Sequence, residues 1–384
     1  MTFAIRAGMM DSWKSEFGLN NEQVGHINSM AFYGFPLATI LGGLILDSIG
    51  MGTMLTIAFL CHLSGLLLTI FSGGFWGLLV STFLVGFANG SVEAACNPMV
   101  ASLYPNQKTT MLNRFHVWFP GGIVLGAVLG FVMASYFDLG WRLQCAIILV
   151  PTVWYGYLFY RQSFPQTERV TAGVSNAEML SAVFANPLFW FITGCMFLTA
   201  TTELGTGQWI ASLLQSVVAA PLLVLAFING IMAIGRFYAG PVVHRLNPTG
   251  MLLMSAVFSV LGLYALSQAS GFATWGAAAV FAVGVCYFWP TMLGFVSEYI
   301  PRSGALGLSL LGGAGMFATA VFQPIIGRWF DANLAAASAA GMEGDMAGVM
   351  AGQATLTNVM WLPMILVGAF SLLYFFMRKQ ATTH

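Results

Sequence analysis

Eleven apolar runs, each near the length of a bilayer-spanning helix, leave few folds open to this chain. They lie near residues 24–46, 53–73, 75–103, 115–137, 141–160, 187–211, 217–243, 250–270, 273–299, 303–327 and 354–377. Hydrophobic residues make up 58% of the chain and charged residues only 7%, against roughly 25% charged in a soluble protein. A soluble core cannot hide that much apolar surface. The expectation is an all-α membrane protein that crosses the bilayer many times. Net charge is zero, so nothing points to nucleic acid. Cys61, Cys96, Cys145, Cys195 and Cys286 all fall in apolar runs with no CxxC pair. They read as small buried hydrophobes, and no metal or cofactor is expected.

Met1 to Met10 supplies only half a span before the polar stretch Asp11 to Gln23. The first helix is therefore expected to be truncated at the N-terminus, its missing half lying upstream of Met1. Counting it gives twelve helices: an N-terminal six-helix bundle in 1–160, a cytoplasmic linker in 161–186 and a C-terminal six-helix bundle in 187–384. The Ala-, Gly- and Met-rich stretch Asp331 to Gly352 reads as a loosely helical external loop. Basic residues set the orientation. With both termini cytoplasmic, Lys108, Arg114, Arg161, Arg169, Arg245, Arg302, Arg378 and Lys379 lie inside, and Lys14, Arg142 and Arg328 outside. The expected location is the cytoplasmic (inner) membrane.

The two halves repeat weakly. Gly43…Asp47…Gly50 followed by Met54-Leu55 matches Gly240…His244-Arg245 followed by Met251-Leu252. Gly121-Gly122 matches Gly312-Gly313, and Asp138 matches Asp331, at a similar offset. Same-direction matches near half the chain length are what parallel six-helix repeats produce.

Within the run 75–103 stands a glutamate, Glu93, which is costly at mid-membrane depth. Asn89, Glu93 and Asn97 are spaced i, i+4, i+8, so a helix stacks them on one face. Pro98 frees the carbonyl near Ala94, and Gly90 lets another backbone approach. Such a polar stripe reads as the wall of a water-filled path. The alternative is a structural carboxyl bound to an arginine or a neighbouring helix.

Twelve spans, a mid-chain linker and the Gly43…Asp47…Gly50 loop resemble the major facilitator superfamily. The first loop copy lacks the family's basic residues, having Ser48, Met51 and Gly52; the second has Arg236 and Arg245 but His244 at the acidic place. In that family the loop is thought to latch the halves on the cytoplasmic side, so the departure implies a weaker latch. Glu93-Ala-Ala-Cys-Asn97-Pro98 resembles the Glu-Thr-Ala-x-Asn-Pro signature in helix 4 of the proton-coupled fucose and glucose/galactose permeases. Phe17 to Tyr33 resembles their loop into helix 2. This resemblance implies that Glu93 carries the coupled proton. The family's acid in helix 1 has no secure counterpart, since Arg6 to Met10 occupies the place and Asp11 is displaced.

Further polar candidates lie on other helices. Glu203 and Gln208 flank glycines in a loosened helix 7, where transporters place substrate groups. The alternative there is a polar bend satisfied within its own bundle. Tyr287 and Trp289 precede Pro290 in helix 10 and could stack on a sugar ring or simply pack around a kink. Asn28, Asn229 and Gln323 are candidate cavity hydrogen-bonders. Arg114, His116 and Trp118 read as an interfacial group, and His62 as packing. No nucleophile constellation or phosphate-binding loop is present, so neither an enzyme nor an ATP-driven pump is expected.

The expected function is secondary transport of a small polar metabolite by alternating access with proton symport. A sugar, polyol or sugar acid is the expected cargo, and the protein is expected to act as a monomer. The alternatives are proton-driven efflux of amphiphilic compounds, given 22 Met and 32 Phe, and a receptor-like membrane protein that carries nothing.

Overall fold

The computed structural model describes residues 1–19, 21–218 and 221–381. The side chains of Asp11, Lys14 and Lys379 lie outside the described residues. Among those described the structure is all-helical. Ten segments are long and apolar enough to cross a membrane. Two shorter helices, Thr2–Phe17 and Leu223–Phe237, stand in the places expected for the first and eighth spans. The chain is a multi-pass membrane protein.

It groups into two compact units that cut across the sequence halves. Unit 1 comprises Met1–Lys108, Gly121–Trp190 and Val296–Phe317; unit 2 comprises Thr109–Pro120, Phe191–Phe295 and Ala318–His384. The first ten helices are α1 (Thr2–Phe17), α2 (Asn21–Ile49), α3 (Met51–Ile70), α4 (Phe75–Leu103), α5 (Lys108–Phe115), α6 (Trp118–Ser135), α7 (Trp141–Ala146), α8 (Leu149–Phe159), α9 (Glu168–Thr171) and α10 (Asn176–Phe184). They are followed by α11 (Pro187–Ala200), α12 (Thr206–Leu213), α13 (Pro221–Phe237), α14 (Ala239–Gln268), α15 (Ala273–Val285), α16 (Phe288–Tyr299), α17 (Gly304–Ala339) and α18 (Gly344–Ala381).

In unit 1, α4 packs against α2 and α3. A Cβ on Gly90 would collide with the Phe35 carbonyl, and one on Gly86 with the Ala31 backbone. These small residues let the two backbones approach as closely as dispersion packing between membrane helices favours. The outer face of α2 carries exposed Leu37, Leu41 and Leu44, spaced to face lipid.

The stretch Asp11 to Gln23, expected to be a polar loop, is largely helical, because α1 continues to Phe17. Trp13 is fully buried edge-on against Trp141 at 6.1 Å, within a core that includes Ile5, Met9 and Ile148. Glu16 accepts the Trp141 indole N–H at 2.6 Å and pairs with Arg142 at 2.7 Å. Side chains that appear polar in sequence thus fix the helix to α7. The Arg142 and Trp141 donors also hold the exposed Glu16 carboxyl below its usual range.

The stretch Asp331 to Gly352 departs from expectation too. It is the end of α17, a turn at 340–343, and the start of α18. Alanine's high helix propensity extends both helices there.

The linker is ordered as α9 and α10. Ser175 caps α10 in a reciprocal box with Glu178. Arg169 pairs with Asp47 at 2.5 Å, and the Thr167 hydroxyl donates to the other Asp47 oxygen at 2.6 Å. Beside them Lys108 pairs with Glu168 at 2.7 Å and donates to the Ser297 carbonyl at 3.1 Å. The basic partner missing around Asp47 in sequence is therefore supplied by the linker, 122 positions away. Arg169→Gln should cost about 2–3 kcal/mol by stranding a largely buried carboxylate. Thermal unfolding of the purified chain measures this; an unchanged midpoint would mean that Asp47 needs no cation.

Candidate functional site

The polar row on α4 forms as its spacing predicts. Asn97 donates from Nδ2 to Glu93 Oε2 at 2.5 Å. Glu93 is half-buried, whereas Asn97 is buried and its Oδ1 has no hydrogen-bond partner. That oxygen can accept a hydroxyl. An amide beside a carboxyl can also serve both charge states, donating to the carboxylate or accepting from the acid.

One turn earlier, Asn89 Oδ1 lies 3.0 Å from His62 Nε2, and His62 Nδ1 lies 2.8 Å from the Tyr155 hydroxyl. An amide oxygen only accepts, so in the neutral ring Nε2 carries the hydrogen and Nδ1 accepts from Tyr155. His62 on α3 and Tyr155 on α8 thereby fix the amide of Asn89 from behind. The reading of His62 as packing is corrected: the ring is buried because two polar partners satisfy it. Nothing local in sequence announces those partners, which stand 27 and 93 positions away. Asn28 is half-buried on α2.

Unit 2 gathers Glu203, Tyr287 and Trp289 around an arginine. The helix begun by α11 passes through a π-helical turn at Thr201–Gly205 before α12. Such turns often mark functional or strained positions. The Thr201 and Thr202 hydroxyls donate to the Phe197 and Leu198 carbonyls, both at 2.7 Å. Glu203, in the middle of this turn, pairs with Arg236 of α13 at 2.6 Å, the two side chains being 3% and 1% exposed. The Trp289 backbone N–H also donates to Glu203, at 3.4 Å.

Arg236 further donates to the Cys286 carbonyl at 2.7 Å and the His116 carbonyl at 3.2 Å. Each of those carbonyls lies four residues before a proline, Pro290 and Pro120, which has no N–H to give. The break between α15 and α16 falls here, and the Tyr287 hydroxyl donates to the Gly235 carbonyl at 3.2 Å. Glu203, expected to meet cargo, is occupied by this buried pair; its cation was not legible because Arg236 stands 33 positions away. Trp289 and Tyr287 are buried at the break, and Gln208 is exposed on α12.

Residues 1–309 match the Major Facilitator Superfamily. The chain belongs to that superfamily, whose members are membrane transporters and not enzymes. It is 26% identical over 148 residues to the solute carrier family 2 facilitated glucose transporter member 10 of Xenopus laevis, covering 38% of this chain and 27% of that protein. It is 22% identical over 349 residues to the gentisate transporter of Corynebacterium glutamicum, covering 83% of this chain and 75% of the relative. Among solved structures it resembles the E. coli fucose:proton symporter, with a TM-score of 0.71 at 15% identity over 94% of this chain and 95% of that one. A proton:xylose symporter structure gives the same TM-score and identity over 95% and 92%. These likenesses establish the fold. The chain spans 27% of the length of the first glucose-transporter relative that it matches.

Proposed function

We propose that this protein is a secondary transporter that moves a small hydroxylated compound by alternating access, together with a proton on Glu93. The observation that carries the reading is the row on α4: a half-buried glutamate touching an asparagine whose buried oxygen lacks a partner. A titratable group beside a vacant acceptor links proton binding to the arrival of a hydroxyl. Cargo contact falls to Asn89, Asn97 and Asn28, and His62 and Tyr155 position Asn89. The relatives bring two substrate classes, sugars and, through the gentisate transporter, hydroxylated acids. Sugars, polyols and sugar acids are therefore the cargo to test. The working arrangement is two six-helix halves, 1–160 and 187–384, joined by the linker 161–186. The protein then sits in the cytoplasmic membrane with both termini inside, as a monomer.

Counterflow in liposomes tests the reading without needing a proton gradient. Purified protein should exchange labelled cargo from at least one of the three classes. A chain that exchanges none of them, while remaining folded, is a receptor-like protein or carries another class of compound.

A further inference from the structure

The first helix carries a charge that the row on α4 does not use. Arg6, on α1 within unit 1, is 7% exposed, and its Nε is buried without a hydrogen-bond partner. Among the described residues no carboxylate forms an ion pair with it; the ion pairs there involve Lys108, Arg142, Arg169 and Arg236. What it does have is the ring of Phe3, 4.9 Å from the guanidinium carbon, itself packed against Phe32 of α2 at 5.7 Å. A ring face offsets part of the cost of burying a cation but supplies no acceptor for its N–H groups.

The contrast with Arg236 is instructive. That buried arginine has its carboxylate and two carbonyls, and so is complete within the chain. Arg6 is an incomplete site. A planar guanidinium buried beside aromatic rings is matched best by a planar anion that accepts in bidentate fashion, which is to say a carboxylate.

We propose that Arg6 is an anion subsite and that the cargo is a hydroxylated carboxylic acid. The subsite rests on the transporter reading above for its role, though not for its geometry. A consequence follows for energetics. If one monoanion travels on Arg6 and one proton on Glu93, the loaded protein moves no net charge, so uptake responds to a pH gradient and not to membrane potential.

The test uses the purified full chain with glucose, glucuronate and 2,5-dihydroxybenzoate as probes. An acid should raise the wild-type melting temperature by at least about 2 °C, because a ligand of the folded state stabilises it. Glucose, which has the ring of glucuronate without its carboxylate, should do less. Arg6→Gln should abolish the acid's shift, and Arg6→Lys should keep part of it. Without any ligand, Arg6→Gln should melt no lower than the parent, because it removes a buried charge that no carboxylate among the described residues pairs with.

Three results overturn the subsite: no preference for acids over glucose, an acid shift that survives in Arg6→Gln, or an unliganded Arg6→Gln that melts well below the parent. The last would make Arg6 a structural cation like Arg236. Exchange of glucose alone, by both parent and variant, would leave the transporter reading standing and remove the anion subsite. If neither class exchanges, the transporter reading fails, and the unliganded melting comparison still decides whether Arg6 is a structural cation.

Discussion

Replacing Arg236 with methionine should lower stability by about 3–5 kcal/mol, the cost of leaving one partner of a buried ion pair alone. Three losses coincide. Glu203 keeps only the long Trp289 N–H, the Cys286 carbonyl loses its Arg236 donor, and the His116 carbonyl keeps only the long Phe119 N–H at 3.4 Å. The unfolding temperature of purified protein is the readout. The double variant Arg236→Met, Glu203→Gln should recover much of the deficit, because the stranded charge is then gone. A single variant that melts like the parent would show that the pair contributes nothing to the fold. A double variant no better than the single would place the loss in the Cys286 and His116 carbonyls instead of the carboxylate.

The features legible in sequence were those written in local pattern. Run length and the shortage of charge gave the spans. The glycines around Glu203 announced a loosened helix, found as a π-turn, and Pro290 announced the break between α15 and α16. The i, i+4 spacing on α4 announced that Asn97 meets Glu93. What stayed hidden was pairing across long sequence separations. His62 looked alone because Asn89 and Tyr155 are on other helices. Asp47 has no cation near it in sequence, because Arg169 returns to it from the linker. The polarity of Asp11 to Gln23 predicts a loop and says nothing of the indole that Glu16 binds. Glu203 showed the difficulty most plainly: an acid in a loosened helix fits a cargo site and a buried pair equally well until its partner is located.

Glu93→Gln should have the largest effect on activity. The substitution keeps the size of the side chain and leaves an amide that Asn97 can still meet, but it removes the carboxyl proposed to carry the proton. On the proposed reading this carboxyl is the group that carries the proton between the two sides, and cargo bound beside it senses the change through Asn97. With glutamine there the row is fixed in one state. Cargo can still cross in exchange for cargo, whereas the proton gradient has nothing to act on. Loss of accumulation should be essentially complete, with affinity altered modestly by the changed hydrogen bonding. His62→Ala, which frees Asn89 without touching the carboxyl, should weaken binding and leave coupling intact.

The measurement that bears most directly on the account is paired transport by parent and Glu93→Gln protein in liposomes, with an imposed inward proton gradient. The parent should concentrate cargo above the outside level, while the variant should equilibrate cargo and still support counterflow. If Glu93→Gln accumulates cargo against its gradient as the parent does, Glu93 is a structural acid and the proton is carried elsewhere.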